Sequence, residues 1–527
     1  MRLEQKAKQR INPIKSIENT VKILGCILSS NAKIIEMGGD LFYNSRNKLG
    51  NGWLLVAIAM AVFMGMSIAK NGVATGILFL VFPFAIGFVT WIFYQPRVGI
   101  LSFLVYCFIM PYLGKHISGL QVGMGIEAIL FSTLFAVIFY QRNRFRKRHL
   151  NNDLVWLTIS WMVLTFIQIG NPERPSILGW VYEMRSATLY WVLTVVLTFL
   201  ILNKRTDIDL FLNIIIIMSV IGALYGMKQL YLGVDEAEHK WLEEGGKKTH
   251  ILFGKLRIFS YYFDAAQFGA SQGHLAIVCI ILATGPHKLL KKAWFAIAGL
   301  LLFYGMLISG TRGALFAIVG GGLMFLILIK QTKILLLGAI VGGGFIGMLK
   351  YTNIGSGNAE IVRLRSSLDP KDASLQVRLM NQAILRDYLG SKPFGTGVGT
   401  MGQWGEKFNA DKYISHIPPD SLYVKIWGMY GIVGFIMWFG IMLYILGKSS
   451  GIIWRTRDPV LKNQLIALCG GTAGILLCSY GNEVLNTMPT SAIVYISWVL
   501  IWLSPRWDIP EVKTESIAVN SEEQQLL

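Results

Sequence analysis

The chain has 527 residues, of which 54% are hydrophobic and 15% charged, where a soluble domain carries about a quarter charged residues. That balance excludes an ordinary soluble globular protein, and apolar runs such as 54–69, 192–202 and 211–221 predict an all-α, polytopic membrane protein. The formal charge of +19 is first expected in cytoplasmic loops, so topology absorbs it and no nucleic-acid partner is required.

Residues 1–51 read as a basic, amphipathic cytoplasmic segment. Ile14, Ile17, Val21, Leu24 and Leu28 form one helical stripe flanked by Lys15 and Lys22, the pattern of a helix lying on membrane lipids. The segment lacks the short apolar core and small-residue cleavage site of a removable signal peptide. The transmembrane body is expected over 52–503, with about fourteen helices near 53–69, 73–94, 98–113, 120–140, 153–169, 187–202, 209–232, 265–284, 293–309, 313–329, 334–350, 420–447, 463–480 and 489–503. Residues 504–527 form a C-terminal tail. With the N-terminus inside, the short cytoplasmic loops hold 17 Lys or Arg and the short outer loops five (Lys70, Lys115, Arg174, Arg185 and Arg312). This bias places both termini in the cytoplasm, with the block Arg142, Arg144, Arg146, Lys147 and Arg148 as anchor.

Two predicted outer segments, 233–264 and 351–419, are too long to be simple connectors, and function is expected in them. Within the second, Asp369 as N-cap, Pro370 at the first position, Leu375, Leu379 and Leu389 on one face, and Gly390 at the end predict a surface helix. The cysteines (Cys26, Cys107, Cys279, Cys469 and Cys478) show no CxxC pair and no His at zinc spacing, so neither structural disulfides nor a cysteine metal site is expected.

Several motifs have both a chemical and a plain reading. Gly397, Gly399 and Gly402 spell G-x-G-x-x-G, but no strand precedes them, which rejects a dinucleotide site; a conformational loop or an anion-binding turn remains. Asp207 and Asp209 mimic a metal-dependent D-x-D, but stand where a helix start needs capping. Asp235, Glu236, Glu238, His239, Glu243 and Glu244 are able to hold a divalent ion, while the interspersed Lys240, Lys247 and Lys248 favour a solvated loop. Glu127 is the main ionisable candidate for a transport path.

Arginines at outer helix ends are the most informative residues. Arg257 lies in Gly254-Lys255-Leu256-Arg257-Ile258-Phe259-Ser260, and Arg312 in Ser309-Gly310-Thr311-Arg312-Gly313-Ala314. The plain reading of each is snorkelling to headgroups. The small residues beside Arg312 instead leave room for a ligand, and with Arg378 the two guanidinium groups have the forked donors that match phosphate oxygens. Just before the predicted twelfth helix, His416 and Asp420 offer an imidazole and a carboxylate as general base; the plain readings are a loop histidine and a helix N-cap.

Together these features resemble the O-antigen ligase and O-antigen polymerase superfamily of bacterial membrane glycosyltransferases. The resemblance spans roughly 100–500 and rests on the Arg257 segment, the 309–314 motif, the loop carrying Arg378, the run Lys392-Pro393-Phe394-Gly395-Thr396-Gly397-Val398-Gly399, and Asp420-Ser421-Leu422-Tyr423 followed by Gly431 and Gly434. It implies an inverting enzyme without metal or other cofactor in the bacterial inner membrane. Such an enzyme moves a glycan from undecaprenyl diphosphate to a lipid-core, protein or glycan acceptor at the outer face. Arg257, Arg312 and Arg378 would bind the diphosphate and His416 or Asp420 would be the base. Ligases of the family carry a histidine at the helix start where this chain has Asp420. A polymerase joining lipid-linked repeat units is the nearest alternative, and a lipid-linked glycan flippase a more distant one.

Overall fold

The computed structural model describes residues 51–508, apart from 72, 118–120, 142–146, 253 and scattered positions between 331 and 370. The predicted amphipathic stripe at 13–35, most of the basic block at 142–148, much of the predicted span 334–350 and the tail beyond 508 lie outside the described residues. The chain divides into two compact units, 1–88 and 89–527. In the first, α1 (Asn51–Asn71) and the start of α2 (Val73–Tyr94) bring Phe63 and Phe79 edge-on at 6.2 Å.

The second unit is built of helices because a chain in hydrocarbon must satisfy its backbone polar groups internally. They are α3 (Pro96–His116), α4 (Met124–Phe135), α5 (Asp153–Ile167), α6 (Ile177–Ile201), α7 (Arg205–Tyr231), α8 (Glu236–Trp241), α9 (Ala265–Thr284), α10 (Leu289–Ile308) and α11 (Leu315–Ile329). There follow α12 (Ala373–Leu389), α13 (Gly402–Phe408), α14 (Leu422–Arg455), α15 (Pro459–Cys478) and α16 (Thr490–Leu503). Among the described residues nine helices are long and apolar enough to cross a membrane, with shorter apolar stretches at Ile58–Lys70, Phe82–Tyr94 and Met124–Tyr140. The bundle centres on α9 and α15, whose membrane-crossing windows are 89% and 83% buried; α9 packs on α10 and α15, and α15 on α11.

One predicted boundary moves. The span expected at 187–202 starts at Ile177, where Ser176 accepts a hydrogen bond from the Gly179 N–H. Arg185 therefore lies inside a helix rather than in an outer loop, where Glu127 pairs with it and accepts from the Tyr190 hydroxyl. Asp207 does what a helix start needs: it accepts from the Lys204 N–H at 2.8 Å and pairs with Arg97.

The segment 233–264 folds around α8 and the two-residue antiparallel strands β1 (Ile251–Leu252) and β2 (Lys255–Leu256). Asp235 caps α8 by accepting from the Glu238 N–H at 3.0 Å. Burial works to raise the Asp235 carboxyl, but the Glu238 backbone, His116 and Tyr225 together hold it down to about 2. Glu238 accepts from Gln229 at 2.6 Å, while His239, Lys240 and Lys247 pair with Glu243 or Glu244 on the surface.

One helix carries a defined break. Gly431, inside α14, has φ +68° and ψ −172°, a conformation open to glycine and strained for other residues. The run after Lys392 fills the gap: Thr396 and Gly397 N–H groups donate to Gly428 O and Met429 O at 3.0 and 2.9 Å, and Val433 N–H donates to Pro393 O at 3.2 Å. Hydrogen bonds the broken helix cannot make internally are thus made to a loop. A side chain at Gly431 would also overlap the Pro393 carbonyl. Gly431→Ala is expected to destabilise the protein by about 1–3 kcal/mol, measured as a lower apparent melting temperature in detergent micelles, with Gly440→Ala, in open space on the same helix, as control.

Candidate active site

The turn between α10 and α11 gathers the three predicted arginines. Arg257 follows β2, where its N–H donates to His250 O at 2.7 Å. Its guanidinium spans two elements, donating from Nη1 to Thr249 O at 3.2 Å and from Nη2 to Thr311 Oγ1 at 2.9 Å. Thr311 in turn donates to Ala265 O at 2.9 Å, tying the turn to the start of α9. Arg312 opens the short 3-10 turn Arg312–Ala314, with Nη1 2.6 Å from Asp372 Oδ2.

Asp372, not the predicted Asp369, caps α12: its Oδ1 accepts from the Leu375 N–H at 3.1 Å, and the helix begins at Ala373. Asp369 instead accepts from the Lys371 N–H two residues on, a local turn that the sequence does not separate from a cap. The Asp372–Arg312 pair thereby fastens the α12 N-terminus to the arginine turn. Arg378 projects from α12 toward Gly481, where an added Cβ would lie 3.8 Å from its Nη1 and 3.8 Å from Gly313 Cα. Asn482 packs against Gly313, its Nδ2 close to where a Cβ would stand. Small residues at 313 and 481 thus let two backbones and the Arg378 guanidinium approach one another.

Asp420 directly precedes the cap of α14. It adopts a left-handed φ of +52°, and Ser421, rather than Asp420, caps α14 by accepting from the Tyr423 N–H at 3.2 Å. Leu422 N–H and Ser421 Oγ both donate to Ser479 O, at 3.1 and 3.4 Å, so Asp420 is held beside the segment that carries Gly481.

His416 lies elsewhere. It ends the 3-10 turn Tyr413–His416, which Ser415 anchors by donating to Thr400 O and Asn409 O at 2.9 and 2.6 Å. The exposed imidazole donates from Nε2 to Ala410 O at 2.9 Å, which leaves Nδ1 as its basic nitrogen. Among the described residues no hydrogen bond or ion pair joins it to the arginines. The nearby glycines 397, 399 and 402 have φ values of +95°, +84° and +67°. Gly399 lies directly on the backbone of Gly179, and its carbonyl accepts from Asn409 Nδ2 at 2.9 Å, so the motif serves loop conformation and close packing.

One charged group escapes sequence reading. Lys425, on the first turn of α14, is buried with Nζ 3.1 Å from Glu183 Oε1 of α6 and 2.9 Å from Glu483 Oε2. The only sequence sign is a lysine and a glutamate inside apolar helices, and nothing in their spacing pairs them.

Residues 297–439 match the family model described as O-antigen ligase, which supports membership of the O-antigen ligase superfamily. The matched stretch includes Arg312, Asp372, Arg378, His416, Asp420, Lys425 and Gly431; Arg257, Glu183 and Glu483 fall outside it. Comparison with curated proteins gives no match.

Asp372→Ala is expected to cost α12 about 1 kcal/mol and to release the helix from the arginine turn, read as faster amide hydrogen exchange over 373–380. Asp372→Ser, which keeps a capping oxygen without the charge, is expected to retain most of that protection.

Proposed function

Proceeding from the O-antigen ligase family match over 297–439, we propose that the protein is a membrane glycosyltransferase that moves an oligo- or polysaccharide from undecaprenyl diphosphate to a hydroxyl acceptor. The observation that carries the reading is the gathering of Arg257, Arg312 and Arg378 about one turn, through Thr311, Asp372 and Gly481. Three guanidinium groups at a helix–turn–helix end suit a diphosphate, which spreads charge over several oxygens and accepts forked hydrogen bonds. Held there, the diphosphate is a stabilised leaving group, because charge that grows on it in the transition state meets fixed cations.

The acceptor oxygen attacks the anomeric carbon from the face opposite the diphosphate. The new glycosidic bond forms as the carbon–oxygen bond to diphosphate breaks, and the electron pair leaves with the diphosphate. The acceptor proton passes to a base. Asp420 is better supported than His416 in that role, since Ser421 rather than Asp420 caps α14, and Ser421 and Leu422 bond to Ser479, two residues before Gly481. The chemistry needs no ionisable path across the bilayer, and Glu127, the candidate for one, is tied to Arg185 and Tyr190.

Basic residues crowd the bundle end that holds Arg97, Arg205, Lys291, Lys448 and Arg457. By the bias of Lys and Arg toward the cytoplasm, that end faces inward and the arginine turn outward in a bacterial inner membrane. Long glycans on a lipid diphosphate then reach the site from the outer leaflet.

Arg312→Ala is expected to lower transfer by about 10- to 100-fold, the loss of a charge-assisted hydrogen-bond set, with membrane insertion and helix content unchanged. Near-normal transfer by this variant would remove the reading. Asp420→Asn is expected to lower kcat by about 100-fold or more, the usual worth of a general base, and His416→Ala by less; the reverse order would assign the base to His416. In a deletion strain, long chains left on lipid diphosphate with bare acceptors would identify a ligase. Acceptors carrying a single repeat unit would identify a polymerase.

A further inference from the structure

The buried Glu183–Lys425–Glu483 row has a chemical use that the arginine turn does not supply. Two carboxylates face one ammonium. Glu183 is 1% exposed, and beyond the ion pair both its oxygens lack a hydrogen-bond partner; it is the deep end. Glu483 is the open end, its side chain 30% exposed. Buried charges of this kind are poor devices for stability, since apolar residues of similar volume serve as well or better.

The position of Glu483 is specific. It directly follows Gly481, which touches Arg378 and Gly313, and Asn482, which covers Gly313. On the other side Gly402 lies over the lysine: a Cβ there would be 3.5 Å from Lys425 Nζ and 3.9 Å from Pro419 Cγ, the residue before Asp420. Glu483 thus ties the segment at the proposed leaving-group site to the helix that starts just after the proposed base, with Lys425 fixing its Oε2. A carboxylate is purely an acceptor, with several lone pairs directed at hydroxyl donors.

A second feature shares these elements. Tyr182, the neighbour of Glu183, stacks on Trp404 and Phe408 of α13 with ring centroids 4.6 and 5.3 Å apart. These rings are half-buried, and aromatic faces attract the partly positive C–H face of a sugar ring.

We propose that Glu483 is an acceptor-recognition residue: it accepts a hydrogen bond from a hydroxyl adjacent to the nucleophilic one, and so requires a sugar acceptor rather than a lone hydroxyl such as that of serine. Lys425 is a positioning residue that holds the Glu483 carboxylate, and Glu183 is the buried counter-charge that holds Lys425. This rests on the transferase reading above. The nucleophilic hydroxyl and its proton follow the course given there, and Glu483 takes no part in bond making.

The test uses the full-length protein in proteoliposomes with a lipid-diphosphate-linked glycan as donor. The acceptors are a glycolipid, the same glycolipid lacking single hydroxyls next to the nucleophile, and a serine-containing peptide. With the wild-type protein, removal of one such hydroxyl is expected to raise the acceptor KM by about 10- to 100-fold, and the serine peptide to be a poor acceptor. Glu483→Gln is expected to raise the KM for the intact glycolipid by a similar factor, with donor KM and kcat little changed. The deoxy acceptor then loses nothing further, the signature of a direct contact, and Glu483→Asp restores part of the loss. Equal use of the serine peptide, or wild-type indifference to every deoxy acceptor, would overturn the proposal without any variant. If Arg312→Ala is inactive while Glu483→Gln leaves acceptor KM unchanged, this assignment fails and the transferase reading stands. If Arg312→Ala transfers normally, the transferase reading itself fails.

Discussion

The break in α14 at Gly431 is the constraint on which the rest depends. Beyond it the helix is a long apolar shaft; before it, one short stretch carries Ser421, Lys425 and the contacts to Ser479. A straight helix would satisfy its own carbonyls and leave nothing to hold the 393–397 loop. With the break, the Gly428 and Met429 carbonyls accept from that loop instead, and the loop brings α13 and the His416 turn with it. One residue able to take φ +68° therefore couples a transmembrane shaft to the segment over its end.

Charge is arranged around this frame in two layers. Arg257, Arg312 and Arg378 gather at the turn between α10 and α11 with Asp372 among them, and the second layer is the Glu183–Lys425–Glu483 row, in which two carboxylates face one ammonium. At the bundle's other end Arg97–Asp207, Arg205–Asp458 and Lys448–Asp153 are pairs that join helix termini. Those pairs stitch helices together one to one, whereas in the buried row a single ammonium is shared between two carboxylates.

Much of this was legible in the sequence, for identifiable reasons. Helices in an apolar chain follow from length and hydropathy, and an arginine flanked by Gly310, Gly313 and Ala314 announces itself because arginine is costly there. The convergence of Arg257, Arg312 and Arg378 was readable as chemistry but not as geometry. Local competition decided the errors: Asp369 and Asp372 are both able to cap, and Asp420 and Ser421 stand side by side at a helix start. In each case the choice turns on a single backbone torsion or a tertiary partner such as Arg312. The ion row was illegible because Glu183, Lys425 and Glu483 come from three distant elements, and pairing of that kind has no periodicity.

Asp372 has a consequence beyond holding α12 in place. With its carboxylate 2.6 Å from Arg312 Nη1, the protein carries its own competing anion at the entrance to its cationic turn. Any visitor must match that tethered carboxylate, which enjoys the high effective concentration of an intramolecular group. A singly charged headgroup, abundant in a membrane, brings little advantage over it, whereas a multiply charged one engages several guanidinium groups at once. On the proposed diphosphate-binding role, such a built-in rival would set a charge threshold, favouring multiply charged headgroups over singly charged ones.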